Sequence, residues 1–194
     1  MQALFRRENR VGLLVLLLFA AVVAFVLYWR TAVEDTPGDY HVKTGNYRLQ
    51  DGQYDRAIAE FELALEANAD HPLAYLGIAL ALMHQNRHEA SLEAFGHALA
   101  LDESLAVAYA DRGILHDRMG RHDLALQDYR RALALDPKLA DGPGWLWRFL
   151  RNIPERPPTI ADRAAYLEAE LRKPPEDRLL RLPEIDAQQR MYNY

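Results

Sequence analysis

The sequence predicts an all-α protein: one N-terminal transmembrane helix, then a short α-solenoid of three helical hairpins, then a C-terminal capping helix and tail. Three observations carry this. A small–ring–small triplet recurs at Ala57–Phe61–Ala64, Ser91–Phe95–Ala98 and Ala125–Tyr129–Ala132, each copy 34 residues after the last. A further small residue stands twelve positions before each triplet, at Gly45, Ala79 and Gly113. Residues 11–29 form an uninterrupted stretch without charge.

Spacing of i, i+4 and i+7 places each triplet along one helix face, so each marks a helix that a neighbour approaches closely. The upstream small residue is where a first helix admits the second, which makes every unit a hairpin. Gly52, Asn86 and Gly120 fall between the paired helices, and each tolerates a left-handed C-cap.

This arrangement resembles the tetratricopeptide repeat, which shares the period, the small residues, the second-helix aromatic and the closing proline. The units run 38–71, 72–105 and 106–139, about half of the chain. The third fits best, with Tyr109, Gly113, Gly120, Ala125, Tyr129, Ala132 and Pro137 in register. The second has Ala79 for Gly, Ser91 for Ala and Glu103 for Pro; the first has His41 for the early aromatic and Ala69 for the proline.

Reading from the start, residues 1–10 carry Arg6, Arg7 and Arg10 against Glu8. The 19 residues of 11–29 would make about 28 Å of helix, close to the ~30 Å hydrocarbon core of a bilayer. Tyr28 and Trp29 close the run as an interfacial belt would. Its end lacks the small-x-small pattern of a cleaved signal, so an uncleaved signal-anchor is expected. Arginines before the span, with Glu34 and Asp35 after it, keep the N-terminus in the cytoplasm. The repeats are then expected in the periplasm of a bacterium, tethered to the inner membrane through a linker at 30–37.

Charge differs by segment: net +3 over 1–30, −8 over 31–149 and 0 over 150–194. An acidic repeat region repels phosphate backbones, which argues against a nucleic-acid partner. No cysteine is present, so disulfides, thiolate metal sites and cysteine nucleophiles are excluded. The two serines, Ser91 and Ser104, sit at a packing position and in an inter-repeat turn. His84 and His88 have metal-ligand spacing but flank a turn, where His88 has equivalents in His122 and Tyr54. The expectation is a protein without catalytic residues, metal or cofactor.

The resemblance implies a concave groove lined by the first helix of each hairpin. Its positions map to Val42, Asn46 and Leu49, to Leu73, Leu76, Leu80 and Met83, and to Val107, Ala110, Asp111 and Ile114, with Asp117 further along. Family members that hold a terminal carboxylate do so with Lys and Asn. Here only Asn46 survives, with Val42, Gly77, Val107 and Asp111 at the other places. Leu76, Leu80, Met83, Ala110 and Ile114 are expected to form an apolar strip for a helix or extended segment of a membrane or periplasmic protein. The same strip could instead be covered by the chain's own C-terminal segment.

Residues 140–173 are read as capping helices and 174–194 as a tail. Trp145, Trp147 and Phe149 concentrate aromatic surface after Asp141-Gly142-Pro143-Gly144. They are expected either to cover the last hairpin or to form a partner patch, with Trp145 and Phe149 over the exposed end. Thr159 and Asp162 signal a helix start, and Ile160, Ala164, Leu167 and Leu171 share its face. A further helical piece is expected over Glu176–Leu182. By family analogy the function is scaffolding in assembly or stabilisation of a cell-envelope complex, as in cytochrome c maturation. A cytoplasm-facing adaptor and an accessory subunit of a membrane enzyme remain open.

Overall fold

The computed structural model describes residues 14–26, 36–142, 144–150, 152–153 and 155–181, with backbone alone for residues 145–147. The chain divides into two units, Met1–Thr36 and Pro37–Tyr194. In the first, residues 14–26 are helical (α1) and leave their leucines, valines and phenylalanines exposed. Among the described residues no helix is long and apolar enough to cross a membrane. The ends of the expected span, 11–13 and 27–29, lie outside the described residues, as do the basic flank 1–10 and most of the linker.

The second unit is built from helices α2 (Asp39–Gln50), α3 (Tyr54–Ala67), α4 (Pro72–His84), α5 (His88–Leu101), α6 (Ala106–Arg118), α7 (His122–Leu135), α8 (Trp145–Leu150) and α9 (Ile160–Leu171). Single 3₁₀ turns occupy Pro137–Ala140 and Pro175–Asp177, and no strand occurs among the described residues. The pairs α2–α3, α4–α5 and α6–α7 are the three expected hairpins.

Each hairpin turns through one left-handed residue: Gly52 (φ +72°), Asn86 (φ +59°) and Gly120 (φ +74°). The next amide closes the turn, Gln53 N–H donating to the Arg48 carbonyl, Arg87 to Leu82 and Arg121 to His116, at 2.8–2.9 Å. This is the Schellman pattern, and it satisfies carbonyls that the end of a helix would otherwise leave unpaired.

The rings hold the hairpins together. Phe61, Phe95 and Tyr129 are fully buried, each contributing roughly 1.5–3 kcal/mol by burial. Phe61 lies between the first helices of two successive hairpins: a Cβ on Gly45 would stand 2.6 Å from it and one on Gly77 only 2.2 Å. Gly113 gives Tyr129 the same room, its Cβ position being 2.7 Å from the ring. Where the second hairpin departs from the pattern, Ser91 Oγ donates to the Ala79 carbonyl at 2.7 Å, so the extra hydroxyl is buried with an acceptor.

The stack is closed by α9. Ile160, Ala164 and Leu167 are buried in the same core as Leu126, Tyr129 and Leu139. Its start is the expected capping box: Thr159 Oγ1 accepts from the Asp162 amide, and the Thr159 amide donates to the Asp162 carboxylate. Of the residues read as a cap or a partner patch, Phe149 does not cover the last hairpin: it is 74% exposed, and Leu150 similarly so. The side chains of Trp145 and Trp147 lie outside the described residues. The helix expected over Glu176–Leu182 is also absent in its described part, where the 3₁₀ turn Pro175–Asp177 is followed by residues 178–181 without regular secondary structure.

Candidate functional site: the face of the first helices

The candidate surface is the face that α2, α4 and α6 present. Of the eleven residues expected to line it, Val42, Leu76, Leu80, Met83, Ala110, Asp111 and Ile114 are at most 4% exposed. The open apolar strip is thus not seen: Leu76, Leu80, Met83, Ala110 and Ile114 belong to the main core, with Phe95, Leu99 and Leu115. Helical spacing fixes which side of a helix a residue occupies, whereas its exposure depends on what lies against that side. Asn46, Leu49, Leu73 and Val107 stay partly exposed. Leu49 and Leu73 pack against both core clusters and so bridge the first and second hairpins. Gly77, one of the carboxylate-clamp positions, lies directly beneath the Phe61 ring.

At the third hairpin the same face carries a buried charge network that sequence reading missed. Asp117 occupies a groove position near the end of α6, and its side chain is 3% exposed. Arg163 of α9, 2% exposed, grips it with both arms, Nε to Oδ2 at 2.7 Å and Nη2 to Oδ1 at 2.9 Å. Tyr129 Oη donates to Oδ2 at 3.3 Å, and His122 Nδ1 lies 3.0 Å from Oδ1. Arg163 Nη2 also donates to the Leu180 carbonyl at 2.9 Å. A paired, hydrogen-bonded ion pair is the form in which a protein interior tolerates charge. The signal was available: Arg163 is three residues after Ile160 and four before Leu167, on the apolar stripe itself.

The segment after α9 folds back along it. Tyr166 Oη donates to the Leu179 carbonyl at 2.5 Å, and the Leu179 amide donates to Glu170 Oε2 at 2.8 Å. Arg178 reaches the carbonyls of Lys173 and Leu171. Arg130 of α7 pairs with Glu168 at 3.0 Å, a second link between the last hairpin and α9.

The histidines serve as packing and pairing groups. His84 stacks on Tyr54 with ring centroids 4.8 Å apart, and His71 Nε2 lies 3.0 Å from Asp39 Oδ1. Burial holds His84 below the ordinary imidazole value, and Arg118 adds to this. His116 is likewise lowered, first by burial; Asp128 and Glu89 oppose, while Arg112 and Arg121 reinforce. Asp128 is itself clamped by Arg112 through two bonds of 2.8 and 2.7 Å. Among the described residues no cluster of three or more His, Cys, Asp or Glu could hold a metal ion.

Tetratricopeptide repeat family models match residues 42–106 and 106–139. Hairpins at this fixed period therefore place residues 42–139, half of the chain, in the tetratricopeptide repeat family. The chain is 35% identical over 63 residues to the TPR repeat-containing protein MJ1428 of Methanocaldococcus jannaschii, a match covering 32% of this chain and 11% of that protein's length. Its fold is similar to the first TPR domain of human RPAP3 (TM-score 0.51, 23% identity, 69% of this chain and 97% of that one). It is similar also to MamA (TM-score 0.51, 21% identity, 68% and 69%). The first TPR of Spaghetti (RPAP3), bound to the HSP90 peptide SRMEEVD, matches at TM-score 0.50 and 25% identity, over 61% of this chain and 92% of that one.

Proposed function

We propose that this chain is a membrane-tethered scaffold, which binds a segment of another envelope protein on the face of α2, α4 and α6 and supports assembly or stabilisation of a membrane complex. The observation that carries the reading is the three-hairpin repeat stack itself, a fold that in the RPAP3 structure holds a peptide. The ligand class differs from that acidic peptide. Asp111 stands at a clamp position but is fully buried, Gly77 is covered by Phe61, and Val42 and Val107 replace charged clamp residues. Half-exposed Leu49, Leu73 and Val107 suit an apolar helix or extended segment.

The tether is residues 11–29, supported by their unbroken apolar run and by the exposed apolar side chains of α1. By the arginine bias the repeats face the periplasm across the inner membrane. An alkaline phosphatase fusion after Tyr194 should be active, and the chain should stay with membranes through alkaline carbonate washing. A soluble chain, or an inactive fusion beside an active cytoplasmic reporter, refutes the tether or its orientation.

For the binding face, a photo-crosslinking amino acid at Leu49, Leu73 or Val107 should yield one discrete adduct. The same label at exposed Leu63, Leu101 or Leu124 on α3, α5 and α7 should yield none. Adducts only from the second-helix positions would refute the face.

A further inference from the structure

We infer that the loop 143–158 is a membrane-contacting element, whose tip, Phe149 and Leu150, enters the interface of an anionic phospholipid bilayer. The inference rests on the tether reading above and adds to it a second point of contact with lipid.

Between the 3₁₀ turn Pro137–Ala140 and α9 the chain makes an excursion of sixteen residues, 143–158, whose ends are clasped. A Cβ on Gly142 would stand 3.0 Å from Thr159 Cγ2. Arg156 Nη1 donates to the Ala140 carbonyl at 3.4 Å, and its Nη2 pairs with Asp162 at 3.0 Å. A loop of this length with its ends held together is an Ω-loop, a form that is frequently functional. Hydrogen bonds order its helical part. The Arg148 amide donates to the Gly144 carbonyl at 3.1 Å, and α8 ends through left-handed Asn152 (φ +52°), with the Ile153 amide donating to the Arg148 carbonyl at 2.9 Å. This is the closure that also ends the first helix of each hairpin.

On this frame Phe149 is 74% exposed and Leu150 71%. Consecutive helical residues point about 100° apart, so the end of α8 is uncovered on more than one side. A helix that docks in a protein groove presents a single apolar stripe at i, i+3, i+4 and i+7. A fluid interface surrounds a projecting tip on every side, and so suits two adjacent apolar residues.

The loop's sequence matches that setting. No acidic residue stands between Asp141 and Glu155, and the run carries Trp145, Trp147 and Phe149 with Arg148 and Arg151. Tryptophan interleaved with arginine is the composition of interfacial segments. Arg148, Arg151 and Arg156 against Glu155 give the loop a net charge of +2, whereas residues 31–149 are net −8. Anionic headgroups therefore attract this loop and repel the repeats. A tether keeps the bilayer at high effective concentration, so a small apolar tip suffices.

The three tryptophans are Trp29, Trp145 and Trp147, so Trp29→Phe leaves both reporters in the loop. The full chain is placed in vesicles of phosphatidylcholine and phosphatidylglycerol, with and without brominated phosphatidylcholine. Brominated lipid should quench the emission of Trp29→Phe by at least half. Adding Phe149→Asp and Leu150→Asp, both at exposed positions, should remove most of that quenching with helicity unchanged. Unquenched emission from vesicles that retain the chain overturns the inference and leaves the tether standing. Equal quenching with the doubly substituted tip overturns it too. Tip-dependent quenching of a chain that carbonate washing strips from the vesicles refutes the tether and supports the tip's seat in lipid. A photo-crosslinker at Leu150 that captures a protein, with emission unquenched, makes the tip a protein contact and overturns the inference.

Discussion

Replacing Arg163 by methionine tests whether the buried ion pair seals the stack. Methionine keeps much of the length and apolar stem but leaves the Asp117 carboxylate, 3% exposed, without its two guanidinium bonds. Breaking a buried pair on one side costs about 3–5 kcal/mol. Tyr129 and His122 still face the carboxylate, which argues for the lower end, about 3 kcal/mol. For a domain of this size that lowers the melting midpoint by roughly 6–12 °C. Replacing both partners, Asp117→Leu with Arg163→Met, should recover most of the loss, since an apolar pair of similar volume is often neutral. The assay is urea unfolding of the four full-length proteins by circular dichroism, read as a double-mutant cycle. A coupling of at least about 1.5 kcal/mol is expected. A single-variant cost under about 1 kcal/mol, or strict additivity, would refute the seal.

Other perturbations probe the packing and the pH response. Gly77→Ala puts a Cβ 2.2 Å from the wedged Phe61 ring and should cost about 1–3 kcal/mol. Gly96→Ala, on α5 with no neighbour within 4 Å, should instead gain about 0.5–1 kcal/mol; thermal melts of the two variants separate these signs. Thr159→Ala removes the capping box of α9 and should cost about 1 kcal/mol, with exchange of the α9 amides rising first. His116 and His84 are held below their ordinary value, so protonation favours the unfolded chain. Their contribution is complete above the unfolded imidazole value and is lost as pH falls through it toward the folded one. Melting midpoints should therefore drop between about pH 7.5 and about pH 5.5, and His116→Asn should flatten that slope; an unchanged slope counts against it.

Much of the architecture was legible because one spacing encodes both a helix face and a stacking partner. Ala57, Phe61 and Ala64 on α3 need Gly45 opposite them, and Gly52, Asn86 and Gly120 end the first helices as their chemistry requires. The start of α9 was legible for the same local reason, a capping box three residues wide. Exposure was not legible. Leu76 and Ile114 occupy groove positions in sequence, yet they lie in the core, because burial depends on neighbours distant along the chain. Phe149 looked like a cap, but Ile160, Ala164 and Leu167 cover the last hairpin. The Asp117–Arg163 pair joins residues 46 apart, and no local pattern specifies such a partner.

The claim beneath all of this is that each hairpin's ring is wedged against the first helix of its own unit and, for Phe61, of the next. The direct measurement is a nuclear Overhauser spectrum of the full chain with Phe61 selectively labelled. Cross-peaks from the ring to the α-protons of both Gly45 and Gly77, with ring-current shifts on both, are the expected result. A ring that contacts Gly45 alone would mean that successive hairpins do not stack through this residue, and the repeat geometry set out here would be wrong.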